Sequence, residues 1–97
     1  MWILRSVNLG APEKTFRILK GGVKTIGRAT GADFILDAAL VSRLHCRLIA
    51  AADNLEVVDL RSTNGTFVND KRVAKARLKS GDRLRIGRVE LTVGQRN

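Results

Sequence analysis

The feature that most constrains the fold of this chain is an alternation of apolar and polar side chains with a period of two residues. It is clearest near the C-terminus, where Leu84 and Ile86 have even numbers and Val89 and Leu91 have odd numbers. A two-residue turn at Gly87-Arg88 explains the change of parity, because it places Ile86 opposite Val89 on one face of a hairpin. Since side chains on one face of a strand recur at every second residue, the pattern predicts β-strands.

The same alternation, or a short apolar run, recurs along the chain with turn residues in between. It predicts strands at residues 2–7, 14–19, 23–26, 34–36, 45–51 and 55–60, and a turn at residues 8–12. Residues 37–44 are predicted to form a loop, and residues 71–77 to be irregular, because Val73 is the only large apolar residue there. No segment has a sustained helical period. The chain is therefore predicted to be an all-β sandwich or barrel.

One domain covering residues 1–97 is the expected organisation, because a chain of this length buries only about 60–65% of its unfolded surface and supports one core. A single cysteine, Cys46, allows no internal disulfide. The N-terminus has no secretory pattern, and no apolar stretch approaches the length needed to cross a membrane. We therefore expect an intracellular, cytoplasmic domain with no membrane partner. Its size is typical of one piece of a larger protein.

Positive charge is concentrated in the last third of the chain. The net charge is +9, and residues 71–97 contribute nine Lys/Arg against two Asp/Glu, or +7. Such a surface favours polyanionic partners, which include nucleic acid and phosphorylated or acidic protein segments. Proteins that bind single-stranded nucleic acid usually place aromatic rings among the basic residues, and this region has none. A solvated outer sheet face is therefore the preferred interpretation, with nucleic-acid binding kept as an alternative.

Catalytic, metal and cofactor sites have little support in the sequence. Ser42 and His45 have the residue types of a nucleophile and its base, but no third partner or oxyanion loop accompanies them. One histidine and one cysteine cannot supply the four ligands of structural zinc. Neither Gly21-Gly22 nor residues 28–31 have the pattern of a nucleotide-binding loop. We predict no enzymatic activity, no metal, no cofactor and no small-molecule substrate.

Residues 61–69 are the most distinctive polar stretch. Asn64-Gly65 tolerates positive φ, so the backbone can turn there and point N–H groups outward, with small hydroxyl side chains around it. Alone, an ordinary hairpin turn explains this stretch best. Together with other polar loop residues at strand ends, it has the donors needed to hold a dianion. These residues are Arg28, Ser42, Arg43, Thr63 and Asn64.

Three blocks in series resemble the forkhead-associated (FHA) domain family: Gly27-Arg28, then Ser-Arg-Leu-His at residues 42–45, then Asp-Leu-Arg-Ser-Thr-Asn-Gly-Thr-Phe-Val-Asn at residues 59–69. The resemblance extends over nearly the whole chain. It implies a SMAD/FHA-like sandwich of two antiparallel sheets with about eleven short strands, neighbouring termini and binding loops at one end. It also implies a non-enzymatic module that binds phosphothreonine in partner proteins.

The resemblance carries roles to individual residues. Arg28 and Ser42 are expected to contact the phosphate, Arg43 to be a second basic contact, Thr63 to line the phosphothreonine pocket and Asn64 to bond the peptide main chain. The residues Gly27, Gly65 and His45 are expected to support the site structurally, the glycines by shaping their loops and the histidine by bracing the loop that carries Ser42.

Two features depart from the family pattern or are left open by it. Asn69-Asp70 stands where an Asn-Gly pair is common, and we predict a changed turn without loss of the fold. Residues 38–41 are apolar, which favours an uncharged or aliphatic residue three positions after the phosphothreonine. A phosphate-independent interaction through a sheet face that includes Arg83 and Arg85 is a further alternative.

Overall fold

A computed structural model describes residues 1–7 and 13–96 of the chain. Eleven strands and no helix occur in this part, which confirms the all-β prediction and the strand number. The strands are β1 (Trp2–Ser6), β2 (Thr15–Ile18), β3 (Val23–Gly27), β4 (Phe34–Ile35), β5 (Cys46–Ala50), β6 (Leu55–Asp59), β7 (Thr66–Val68), β8 (Lys71–Val73), β9 (Lys75–Leu78), β10 (Arg83–Ile86) and β11 (Val89–Gln95). The turn predicted at residues 8–12 lies outside the described residues. Among the described residues, no helix could span a membrane.

The strands form two sheets that pack against each other as a sandwich. One has six strands in the order β2-β1-β11-β10-β7-β8, and the other has five in the order β4-β3-β5-β6-β9. All recorded pairs are antiparallel except β3 and β4, which run parallel. The Asp33 carboxylate accepts hydrogen bonds from the main-chain N–H and the hydroxyl of Thr25, and so folds the connecting loop back along β3. The N-terminus and Arg96 lie together, joined by two main-chain hydrogen bonds of 2.7 Å.

The core lies between the sheets and takes the inward side chains of both. Trp2, 1% exposed, closes one end, and its ring N–H donates to the Ala51 carbonyl at 2.8 Å, so its one polar atom is satisfied. Large side chains that are fully buried include Leu4, Ile18, Ile26, Leu48, Leu55, Val57, Leu78, Leu84, Ile86 and Leu91. Strands of both sheets, including β5, β10 and β11, bury alternate side chains in this close-packed core, which gives the loops at their ends a rigid support.

The predicted register of the last hairpin is confirmed. Ile86 pairs with Val89, and Gly87 between them has φ +61°. The predicted change at the β7–β8 turn is wrong: Asn69 (φ 49°) and Asp70 (φ 70°) both have positive φ, as an Asn-Gly pair would in a type I′ turn. Aspartate can therefore occupy this position without altering the hairpin.

The prediction that residues 71–77 are irregular is wrong. They contain β8 and most of β9. β8 is the edge strand of the six-stranded sheet, β9 is an edge strand of the five-stranded sheet, and only Ala74 lies between them. Both are edge strands, and their basic side chains face solvent. Charged residues on an edge prevent further strand pairing, so such strands need no apolar alternation.

Candidate functional site

A cavity of about 510 Å³ lies at one end of the sandwich, where three loops meet. Four of the five predicted binding residues line it: Arg28, Ser42, Thr63 and Asn64. The rest of its lining is the segment Asp37, Ala38, Ala39, Leu40 and Val41. The fifth predicted residue, Arg43, is exposed beside the cavity and does not line it.

Arg28 is the first residue after β3. Its main-chain N–H donates to the Ser42 carbonyl at 3.0 Å, and its side-chain Nε donates to the Val41 carbonyl at 3.1 Å. The first bond fixes the backbone of Arg28, and the second fixes the Nε atom of its otherwise exposed side chain. No carboxylate of the described chain pairs with its guanidinium. The terminal nitrogens therefore remain as a positioned positive charge with N–H donors at the cavity.

Gly27 allows the neighbouring loop to approach β3 closely. A Cβ at this position would lie 2.0 Å from the Arg43 carbonyl oxygen, and that oxygen accepts a hydrogen bond of 3.0 Å from Ala29 N–H. No side chain fits such a gap, so glycine is required here by proximity and not by its φ angle. Arg43 thus contributes a main-chain atom to the architecture of the site.

His45 connects the two loops on either side of the cavity. It is fully buried, and its Nδ1 accepts the Ser42 main-chain N–H at 3.0 Å. Nε2 must then carry the ring hydrogen, which it donates to the Gly65 carbonyl at 2.8 Å. Because main-chain groups use both ring nitrogens, the imidazole cannot take a proton from the Ser42 hydroxyl. This geometry fits a bracing residue and opposes a nucleophile–base pair.

Ser42 is joined directly to the far loop. Its Oγ accepts the main-chain N–H of Thr63 at 3.1 Å. A serine hydroxyl that accepts one hydrogen bond still has a hydrogen to donate. Since Ser42 lines the cavity, that hydrogen is available to an acceptor bound there.

Residues 60–65 do not form the hairpin turn that is the simplest interpretation of Asn64-Gly65. The strand before them, β6, belongs to the five-stranded sheet, and the strand after them, β7, belongs to the six-stranded sheet. The loop therefore crosses the end of the sandwich. Gly65 has φ +92°, and Arg61 has φ 57° and an exposed side chain at the rim.

Asp59 organises this crossing loop, a role that sequence reasoning missed. Its carboxylate accepts the N–H of Ser62 at 3.1 Å, the Ser62 hydroxyl, and the Thr66 hydroxyl at 2.7 Å. Burial raises the pKa of Asp59, but these hydrogen bonds outweigh burial and hold that pKa below its ordinary value. Ser62 in turn accepts the Gly65 N–H at 3.0 Å. The Asp-x-x-Ser spacing after a strand was the available signal, because aspartate often bonds nearby main-chain groups.

Leu40, in the apolar segment at residues 38–41 noted in the sequence, forms a further wall of the cavity. It has φ 70°, unusual for a bulky residue, and its carbonyl accepts the Asn64 side-chain N–H at 3.2 Å. The β10–β11 turn packs beneath it: a Cβ on Gly87 would lie 3.0 Å from the Leu40 carbonyl oxygen. No local pattern signals this contact, since the two segments are distant in sequence.

The chemistry available in the cavity is anion binding. Its polar groups are the Arg28 guanidinium, which only donates, the Ser42 hydroxyl, the polar side chains of Thr63 and Asn64, and one carboxylate, Asp37. Cys46 is buried, and burial raises the pKa of its thiol, which disfavours the reactive thiolate. Within residues 1–7 and 13–96, no three His, Cys, Asp or Glu side chains are placed to hold a metal ion.

Comparison with known families finds that the FHA domain matches residues 24–87. The chain is 42% identical over 73 residues to the ABC transporter ATP-binding/permease protein Rv1747 of Mycobacterium tuberculosis, an alignment covering 75% of this chain and 8% of the transporter. It is 36% identical over 74 residues to the glycogen accumulation regulator GarA of the same species, covering 76% of this chain and 46% of GarA. The chain thus spans less than half the length of these relatives.

A solved chain from a structural and functional analysis of phosphothreonine-dependent FHA domain interactions has the same fold. It superimposes with a TM-score of 0.84 at 31% sequence identity, covering 99% of this chain and 97% of that one.

Proposed function

This chain belongs to the forkhead-associated (FHA) domain family, and on that premise we propose that it is a phosphothreonine-dependent protein-interaction module without enzymatic activity. The observation that carries the proposal is the position of Arg28. Its Nε is anchored to the Val41 carbonyl, and its charge is unpaired among the described residues, at a cavity that also contains the Ser42 hydroxyl.

Phosphothreonine matches the chemistry of this cavity. At neutral pH the phosphate carries about −1.5 to −2 charges and three strong acceptor oxygens. Arg28 supplies charge and directional N–H donors, and Ser42 supplies its remaining hydroxyl hydrogen. Thr63 lines the space for the phosphothreonine side chain, and Asn64 binds the main chain of the peptide. Arg43, outside the cavity lining, is a peripheral basic contact.

The comparisons support this assignment at the level of the family. The solved relative comes from work on phosphothreonine-dependent interactions, and GarA is named a regulator. We propose residues 1–97 as a single binding domain that acts inside the cell, where kinases use ATP to phosphorylate threonine, on a phosphorylated partner protein.

Residues 38–41 are proposed to select the residue three positions after the phosphothreonine. This segment lines the cavity, and its Leu40 is 43% exposed. An aliphatic residue gains roughly 0.8 kcal/mol for each methylene that it buries against such a surface. We therefore expect leucine, isoleucine or valine to be preferred there over charged residues.

A phosphopeptide library tests the proposal directly. Peptides with fixed phosphothreonine and randomised flanks are titrated against the folded chain, with matched threonine and phosphoserine libraries as controls. The expected result is binding to phosphothreonine peptides at least about tenfold tighter than to threonine peptides, the gain from one charge-assisted hydrogen bond or more. Equal binding to phosphorylated and unphosphorylated peptides by a folded sample would refute the function.

A further inference from the structure

Two arginines flank one phenylalanine on the outer face of the six-stranded sheet. Phe67 on β7 pairs with Arg72 on β8 and with Arg85 on β10, so the three side chains lie in a row across adjacent strands. The Arg85 Cζ lies 4.4 Å from the centroid of the Phe67 ring, a cation–π contact. We call these three residues the arginine row.

The arginine row begins beside the phosphothreonine cavity. A Cβ on Gly65 would lie 2.9 Å from Arg72 Nε and 3.2 Å from the Phe67 ring, so both side chains pack against Gly65. The residue before it, Asn64, lines the cavity. A peptide that leaves the cavity past Asn64 would therefore pass directly onto the row.

The charge of this face is only partly compensated. Asp70 lies 3.3 Å from Arg83 and 3.9 Å from Arg85, and no carboxylate of the described chain pairs with Arg72. The side chains of Asp70, Arg83 and Arg85 are 64%, 50% and 37% exposed, and Arg72 is also exposed. Glu90 on β11 lies opposite Arg85 on the same face, so these three positive charges stand against two negative charges and leave a net +1 next to a cavity suited to a dianion.

We propose that the arginine row is a second subsite, which binds a carboxylate-rich segment of the partner next to its phosphothreonine. The inference rests on the proposed function of the neighbouring cavity. Arg72 and Arg85 stand two strands apart, about 10 Å between backbones, a distance that about three residues of an extended peptide span. Nucleic acid fits less well, because Arg85 already covers the Phe67 ring face that a base would need for stacking.

Fluorescence anisotropy with three phosphothreonine peptides tests the subsite. One peptide carries three glutamines on each side of the phosphothreonine, and the other two carry three glutamates on one side or the other. Exposed ion pairs of this kind contribute modestly, so one glutamate placement should bind about threefold to tenfold more tightly than the glutamine peptide. The gain should shrink as salt is raised from 0.05 M to about 0.5 M.

Matched variants locate the effect. In the R72Q/R85Q double variant, the ratio of the affinities for the glutamate and glutamine peptides should fall close to one. The control variant R17Q removes a positive charge from β2, at the far edge of the same sheet, and should leave this ratio unchanged. D70N, with an asparagine that tolerates the positive φ of this position, should increase the ratio by freeing Arg85. This last variant keeps the inference testable if the double variant folds poorly.

Each other outcome counts against the subsite. A ratio near one for both glutamate placements in the unmodified chain overturns it while leaving the phosphothreonine site intact. An equal loss in R17Q shows an effect of net charge alone and also overturns it, as does an oligonucleotide that binds in competition with the glutamate peptides. If the glutamine phosphopeptide does not bind at all, both the proposed function and this inference fail.

Discussion

Replacing Arg28 by alanine is the sharpest test of the phosphate site. The substitution removes the guanidinium charge and its terminal N–H donors, together with the Nε bond to the Val41 carbonyl. Arg28 is exposed, so its loss opens no cavity in the core. We expect the free energy of unfolding to change by no more than about 0.5 kcal/mol, as for most surface substitutions. Binding and stability are therefore separable in this variant.

The expected loss of affinity follows from the hydrogen bonds between Arg28 and the phosphate that the substitution removes. One charge-assisted bond from the guanidinium to phosphate contributes about 1.5–3 kcal/mol, which corresponds to a tenfold to hundredfold change in Kd or more. Arg28→Lys keeps the charge but loses the planar fork and the Nε anchor. The affinity of the lysine variant for the phosphopeptide should therefore lie between the affinities of the alanine variant and of the unmodified chain.

Isothermal titration with one phosphothreonine peptide and its threonine counterpart measures both effects. Arg47→Ala, which removes an exposed arginine from β5, is the matched control and should bind normally. If Arg28→Ala binds the phosphopeptide within about twofold of the unmodified chain, or weakens the threonine peptide equally, then Arg28 is not a phosphate ligand.

Three other substitutions test the framework around the cavity. Gly27→Ala should destabilise the fold by about 1–3 kcal/mol in urea unfolding, because its Cβ would collide with the Arg43 carbonyl; unchanged stability would contradict that contact. His45→Ala should lower stability by about 2–4 kcal/mol and also weaken phosphopeptide binding, since two main-chain groups lose their buried partner; normal binding would show that the bridge is dispensable. The folded-state pKa of Asp59 is lowered, so its contribution to stability is present above the unfolded value of about 3.9 and is lost as pH falls through the folded value. The destabilisation by Asp59→Asn should therefore be full at pH 7 and should decrease as pH falls below the ordinary aspartate pKa in thermal unfolding, and an effect that does not change with pH would contradict the assignment.

Local patterns in the sequence predicted much of the fold. The hairpin through Gly87 was predictable in register, because turn chemistry and a period of two residues act over a few positions. The positions of the polar loops followed from the strands around them. Four of the five predicted binding residues lie at one cavity for that reason: each stands in a loop that leaves a strand at the same end of the sandwich.

Long-range geometry set the limit of prediction. The strand character of residues 71–78 depends on the sheet edges that they join, and their basic composition gives no apolar alternation. Nothing near Leu40 in sequence shows that Gly87 packs against its backbone. Likewise, the Asn64-Gly65 pair has the composition of a hairpin turn, and only the sheet assignment of β6 and β7 shows that the chain crosses between sheets there.

The hydrogen-bond polarity of the site explains why binding should depend on phosphate. Arg28 has donors and no acceptor, and the Ser42 oxygen already accepts the Thr63 N–H, so both residues present hydrogens to a ligand. A phosphate dianion has only acceptors and can satisfy both at once. An unmodified threonine brings an uncharged hydroxyl whose own hydrogen also needs an acceptor. Arg28 would then lose part of its hydration without gaining an anionic partner. Because His45 and Asp59 fix the loops through main-chain bonds, these donors are positioned before the ligand arrives, and little ordering cost is subtracted from the gain.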